Sequence, residues 1–223
     1  MPWPQITTST GDPEGEVLAT RDVAVTAADI AAILPRFTGE IEQIPPMHSA
    51  LKHQGRPLYE YARAGIEIDR PPRKVTIRSL HMIECDPPRV VLDVQCSAGT
   101  YIRTLAQDIG AALGCGAHLT ALTRTAAGGF QLEQACTLAE LEAFEVGQRQ
   151  SLLRPADCLV AHLPAVQLDA TAAAALCQGR SVTHPAAQPG LTRVYAAPHR
   201  FLGLADAEGG RLVPRRLVAT QQA

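Results

Sequence analysis

The sequence predicts an α+β protein: a mixed region of helices and strands to about residue 160, then a small β-rich unit from about residue 166. Three observations carry this. Val90, Leu92, Val94 and Cys96 alternate with Val91, Asp93 and Gln95, the period of a strand with one buried face, and Ile102, Leu105, Ile109 and Leu113 then recur at helical spacing. Beyond residue 166, long periodic helices give way to short segments divided by Pro189-Gly190, Pro198 and Gly209-Gly210. At 223 residues, 46% hydrophobic and 19% charged, the chain is long enough to bury a core and lacks the polar bias of a disordered one.

The elements follow in order. Thr26-Ala27-Ala28-Asp29 has the form of a capping box, and Ile30, Ile33, Leu34 and Phe37 continue it as an amphipathic helix that Gly39 ends. Ile44-Pro45-Pro46 forces an extended segment, because a residue before proline avoids the helical region. Residues 56–64 read as a short helix stopped by Gly65, and a strand is expected over about 74–83 after Pro71-Pro72. Ser97-Ala98-Gly99 turns the chain between the strand at 90–96 and the helix from 102, which Gly114-Cys115-Gly116 stops; Tyr101 and Arg103 therefore lie at that helix's first turn. A second capping box, Thr137-Leu138-Ala139-Glu140, opens a helix to about 145, and Arg154-Pro155 and Leu163-Pro164 read as a linker. The last unit starts with an alanine-rich helix over roughly 169–178, stopped by Gly179.

No apolar run approaches the roughly 20 residues that span a bilayer, and Met1-Pro2-Trp3-Pro4-Gln5 is not a signal-peptide start, so the protein is expected in the cytoplasm. Six scattered cysteines form no CxxC pair and are read as reduced thiols. Cys115 and His118 have a spacing a metal could use, but no second pair accompanies them, and no metal is expected. The net charge of −2 conceals a basic stretch: residues 52–78 hold seven Lys or Arg against three acids, a local +4. Such a stretch suits a surface that grips phosphates, and equally a solvated basic surface.

Three motifs are specific in combination. Thr8-Ser9-Thr10-Gly11-Asp12-Pro13-Glu14-Gly15 fits a TxTxDxxG turn. Ile44-Pro45-Pro46-Met47-His48-Ser49-Ala50-Leu51-Lys52, with Gly55 and Tyr59-Glu60-Tyr61-Ala62-Arg63, fits a PPxxSAxK…G…YExAR segment. Ser97-Ala98-Gly99-Thr100-Tyr101-Ile102-Arg103 is followed by Gly114-Cys115-Gly116-Ala117-His118, and Val213-Pro214-Arg215-Arg216-Leu217-Val218 lies near the C-terminus. From about residue 5 onward the chain resembles the TruB family of tRNA pseudouridine synthases.

The resemblance implies a pseudouridine-synthase mixed sheet with flanking helices over residues 1–160, incomplete here, with a thumb-like insertion at about 44–73, and a small PUA-like RNA-binding β domain at 166–223. It implies isomerisation of a uridine in the tRNA T loop: the base is flipped out, detached by a carboxylate nucleophile, rotated and rejoined through carbon, with no cofactor. Arg103 matches the arginine that pairs with the nucleophilic aspartate. Tyr101 and Leu122 match positions lining the uracil pocket, Leu122 being equally explicable as core. Lys52, Arg56, Tyr59, Arg63, Arg73 and Lys74 match the RNA-gripping segment.

The family's nucleophile lies in a GxLDPxATG motif upstream of the TxTxDxxG turn, and residues 1–223 contain no such motif. The chain is therefore expected to be N-terminally truncated relative to the family and inactive alone. Asp12 is read as a turn aspartate, Arg103 as half of an ion pair, and an exposed sheet edge is expected. The alternative is a non-catalytic tRNA-binding or RNA-chaperone remnant. An unrelated enzyme using Asp93 or Asp108 with His118 finds no supporting spacing.

Overall fold

A computed structural model describes residues 4–218, so Met1-Pro2-Trp3, the start of the stretch read as no signal peptide, lies outside the described residues. The chain forms two compact units, Met1–Thr123 and Arg124–Ala223. The α+β class is as expected.

In the first unit, β1 (Pro4–Thr8) and β2 (Val17–Asp22) form an antiparallel hairpin whose connection is the Thr8–Gly15 motif. Helix α1 (Ala27–Ile33) starts at the expected box: Thr26 Oγ1 accepts from Asp29 N–H at 3.3 Å and Thr26 N–H donates to Asp29 Oδ2 at 2.9 Å. It tightens into a 3-10 turn at Leu34–Phe37, and β3 (Gly39–Gln43) follows directly. Strand β3 escapes the sequence reading because Ile41 is its one apolar side chain larger than glycine. Strands β4 (Lys52–His53) and β5 (Arg56–Pro57) flank Gln54-Gly55, both at positive φ, and α2 is Leu58–Arg63.

Strand β6 (Arg73–Asp86) is the centre of an antiparallel sheet ordered β3-β6-β7, with β7 at Arg89–Cys96 and α3 at Ile102–Ala112. Strand β6 buries Val75 and Ile77, then shifts register between Ile77 and Ser79 and buries Leu80 instead. The extra residue flips the buried parity, so the strand runs longer than simple alternation allows. Ile30, Leu34, Ile77, Leu80, Leu105 and Ile109 close the core between α1, α3 and the sheet. Strands β3 and β7 each have one ladder partner among the described residues, which leaves the expected open edge.

The second unit begins with the short hairpin β8 (Ala126–Ala127) and β9 (Phe130–Gln131) and the capped helix α4 (Leu138–Ala143). Helix α5 (Val146–Ser151) occupies part of the stretch that gives no apolar period; Glu145 and Gln148 cap it reciprocally, and Arg149 ties it back through Phe144 O and Glu142 O. Then come β10 (Ala165–Leu168), α6 (Ala170–Cys177, capped by Asp169), β11 (Val182–Thr183), β12 (Gly190–Ala196), β13 (Arg200–Glu208) and β14 (Arg211–Leu217). The sheet order is β10-β12-β13-β14-β11, with β10 parallel to β12 and the other pairs antiparallel. Leu168, Leu176, Val194, Leu202, Ala205 and Leu212 give it its own core. Residues 157–163 are tied to this sheet: Arg193 Nε donates to Leu163 O at 2.9 Å and Tyr195 Oη bonds Asp157. No helix among the described residues is long and apolar enough to cross a membrane.

Candidate active site and nucleic-acid interface

The Thr8–Gly15 turn is closed by its own polar groups. Thr8 Oγ1 donates to Asp12 O at 2.6 Å, and Asp12 Oδ1 accepts from Thr10 Oγ1 at 2.5 Å and from Glu14 N–H at 3.3 Å. A Cβ on Gly15 would stand 2.4 Å from Thr10 Oγ1 and 2.7 Å from Thr10 N, so the motif's last position needs glycine. The turn is held by the segment after α3, where Leu119 N–H donates to Gly11 O at 2.9 Å, while Arg21 on β2 donates to Gly114 O at 3.1 Å, a cation at the C-terminus of α3.

At the other end of α3, Arg103 gathers three acceptors from two distant segments. Nη1 donates to Asp12 Oδ2 at 3.0 Å and Thr10 O at 3.3 Å, and Nη2 donates to His48 O at 2.7 Å. This corrects the expectation of an unpartnered Arg103: a carboxylate partner lies within these residues, 91 positions away, on the turn that sequence reasoning assigned only a local role. Asp12 plays that local role as well. The Thr10 hydroxyl first, then the Glu14 N–H and the Arg103 guanidinium, hold its carboxyl below the usual 3.8, with partial desolvation opposing them. Asp12 thus stays ionised and committed to Thr10 and Arg103. The pair is only partly shielded, its side chains 26% and 27% exposed.

Tyr101 is the N-cap residue of α3 and has extended backbone angles but no side-chain cap. Gln43, the last residue of β3 and 2% exposed, bonds both backbone groups of Tyr101: Oε1 accepts from Tyr101 N–H at 3.0 Å and Nε2 donates to Tyr101 O at 3.2 Å. Nothing in the sequence pattern singles out Gln43. Tyr101 lines a shallow cleft with Leu51, Arg73, Lys74, Val75, Ala98 and Gly99. The structure therefore brings Tyr101, Arg73 and Lys74 together. Leu122 is 63% exposed, outside any helix or strand, and not among the cleft-lining residues; it is not core either.

The basic stretch divides by partner. Arg56 Nε bonds Glu60 at 2.8 Å with its guanidinium over the Tyr61 ring, Lys74 pairs with Glu40 at 2.9 Å, and Arg70 bonds Pro45 O, Ile68 O and Glu67. Arg70 is thus a brace across the root of the 44–73 segment. Arg63 lies over the Tyr59 ring at 5.3 Å, and Lys52, Arg63 and Arg73 have no acidic partner among the described residues. Asp108, the alternative acid on α3, is raised in pKa by burial alone.

Comparison with known proteins agrees along nearly the whole length. Residues 3–102 match the N-terminal domain of the TruB family of pseudouridylate synthases, 103–161 the C-terminal domain of tRNA pseudouridylate synthase B, and 164–218 the C-terminal region of TruB pseudouridine synthase II. The tRNA pseudouridine synthase B of Thiobacillus denitrificans is 72% identical over 218 residues, 98% of this chain and 73% of that protein. That of an Azoarcus species is 53% identical over 215 residues, 96% of this chain and 71% of that protein. Among solved structures, a chain of a Cbf5-Nop10-Gar1 complex superposes with a TM-score of 0.68 at 26% identity, covering 88% of this chain. A chain of an H/ACA ribonucleoprotein bound to a substrate RNA containing 2'-deoxyuridine shares the fold, with a TM-score of 0.65 at 23% identity over 86% of this chain. This chain spans 63% and 61% of those two solved chains, less than two thirds of each. The chain belongs to the TruB family of tRNA pseudouridine synthases.

Proposed function

We propose that these residues form the part of a T-loop uridine isomerase that holds the tRNA T stem-loop and receives the flipped base, while the nucleophilic carboxylate belongs to a segment outside residues 1–223. The observation that carries this reading is Arg103 at the head of α3, fixed by Asp12, Thr10 O and His48 O two residues from the cleft-lining Tyr101. A guanidinium held by three acceptors keeps its remaining N–H groups aimed in a set direction, as an incoming carboxylate needs. Tyr101 offers a ring on which a flipped uracil stacks. Rotating a detached base and rejoining it through carbon is an internal rearrangement, so no cofactor is called for.

Residues 1–160 act as the catalytic part and 166–223 as a PUA-like RNA-binding domain; the change of family model between residues 161 and 164 supports that division. Lys52, Arg63 and Arg73 contact phosphates, with Arg56, Tyr59 and Lys74 beside them, and the protein works in the cytoplasm. A second reading, a non-catalytic tRNA holder, is favoured by the fact that Asp12 already pairs with Arg103. The test is binding of a T-arm stem-loop to the 223-residue chain across a salt series. The proposal expects log affinity to fall linearly with log salt, and a slope shallower by roughly one for each phosphate left without its cation when Lys52, Arg63 and Arg73 are replaced together. Binding indifferent to both changes refutes the 44–73 segment as the grip.

A further inference from the structure

We propose that Gln43 is a positioning residue for base recognition, fixing the Tyr101 peptide so that its ring stands ready in the cleft; this rests on the reading of Tyr101 as the base-stacking residue. Gln43 sits at the inward-facing end of β3, where Ile41 precedes it on the same face and an apolar side chain would be the simplest occupant. A buried amide is costly unless both its ends are bonded. Here both ends are spent on one residue, the N–H and C=O of Tyr101, and so on the two peptide units that flank it.

That residue needs an outside partner. As the residue that opens α3 its N–H is an orphan donor with no helical acceptor, and its carbonyl takes Leu105 N–H as well as Gln43 Nε2. The side chain of Gln43 therefore does for Tyr101 what a neighbouring strand does in a ladder. Five residues on, His48 O takes the Arg103 guanidinium, so the segment that opens the RNA-gripping insertion holds both Tyr101 and Arg103 at its root.

The experiment compares two T-arm stem-loops, one with uridine and one with an abasic nucleotide at the target position, binding to the 223-residue chain. Stacking gives the uridine form an affinity roughly tenfold higher. Gln43→Leu brings that ratio close to one, leaves the salt slope unchanged, speeds hydrogen exchange at the Tyr101 amide, and has no further effect on the ratio in a Tyr101→Ala background. Gln43→Glu keeps the acceptor for Tyr101 N–H but loses the donor, gives an intermediate ratio, and serves if Gln43→Leu does not fold. A parental ratio retained in Gln43→Leu, or in Gln43→Glu if that is the variant that folds, overturns the proposal while leaving the proposed function standing. A parent chain that binds both RNAs equally removes Tyr101 stacking and this proposal together, and one that binds neither removes the proposed function itself.

Discussion

Arg103 and Asp12 connect an N-terminal turn to the head of α3, and the sign of their pH dependence is fixed by the carboxylate. Because Asp12 titrates below its ordinary value in the folded chain, its contribution is complete above about 3.8 and is lost as the pH falls through the folded-state value. Partial exposure limits that contribution to about 1 kcal/mol. Asp12→Asn should therefore melt a few degrees below the parent at neutral pH, and the two should converge as the pH falls through the folded-state value. A gap that widens on acidification would contradict the ion pair. Arg103→Lys keeps the charge but cannot span Asp12, Thr10 O and His48 O at once, so it should destabilise by a similar amount while leaving T-arm affinity near normal. Thermal melts and filter binding read the two effects separately.

Among the elements, α3 carries the site, and its packing is unusually close at one point. A Cβ on Gly110 would stand 2.3 Å from both Ala117 N and Gly116 C, so Gly110→Ala must push away the segment whose Leu119 N–H holds Gly11. The expected loss is about 1–3 kcal/mol, with the Asp12-dependent part of the acid transition reduced in the same variant. Ile77→Ala, at the fully buried centre of β6, should cost about 3 kcal/mol with no change in that acid transition.

Local signals were legible in the sequence where they are chemical. The Thr26 and Thr137 boxes, the alternation in β7, the periodicity of α3 and the alanine helix α6 all stand close to where the pattern puts them. What escaped is what depends on distant partners. The shift at Ile77–Ser79 is invisible until β7 pairs with β6; Gln43 is buried only because Tyr101 waits for it; and Asp12 reads as a turn residue until α3 brings Arg103 to it.

For the whole molecule, charge and edges decide behaviour. A net charge of −2 gives weak general repulsion from RNA, so binding rests on the local basic segment and should weaken steeply with salt. Strand β7 has one ladder partner among the described residues, Val91 is 40% exposed, and Val17 and Leu18 on β2 are 59% and 67% exposed. An open, partly apolar edge invites pairing with another chain, so sedimentation should show concentration-dependent self-association that Val91→Lys reduces.

The most direct measurement is pseudouridine formation at the T-loop uridine of a tRNA transcript, read by base-specific chemical detection. The 223-residue chain alone should convert none. The same chain preceded by a segment that carries a GxLDPxATG motif should convert it, and Arg103→Lys in that fusion should lower the rate severely with tRNA binding near normal. Conversion by the 223 residues alone, abolished by Asp12→Ala, would contradict the account and make Asp12 the nucleophile.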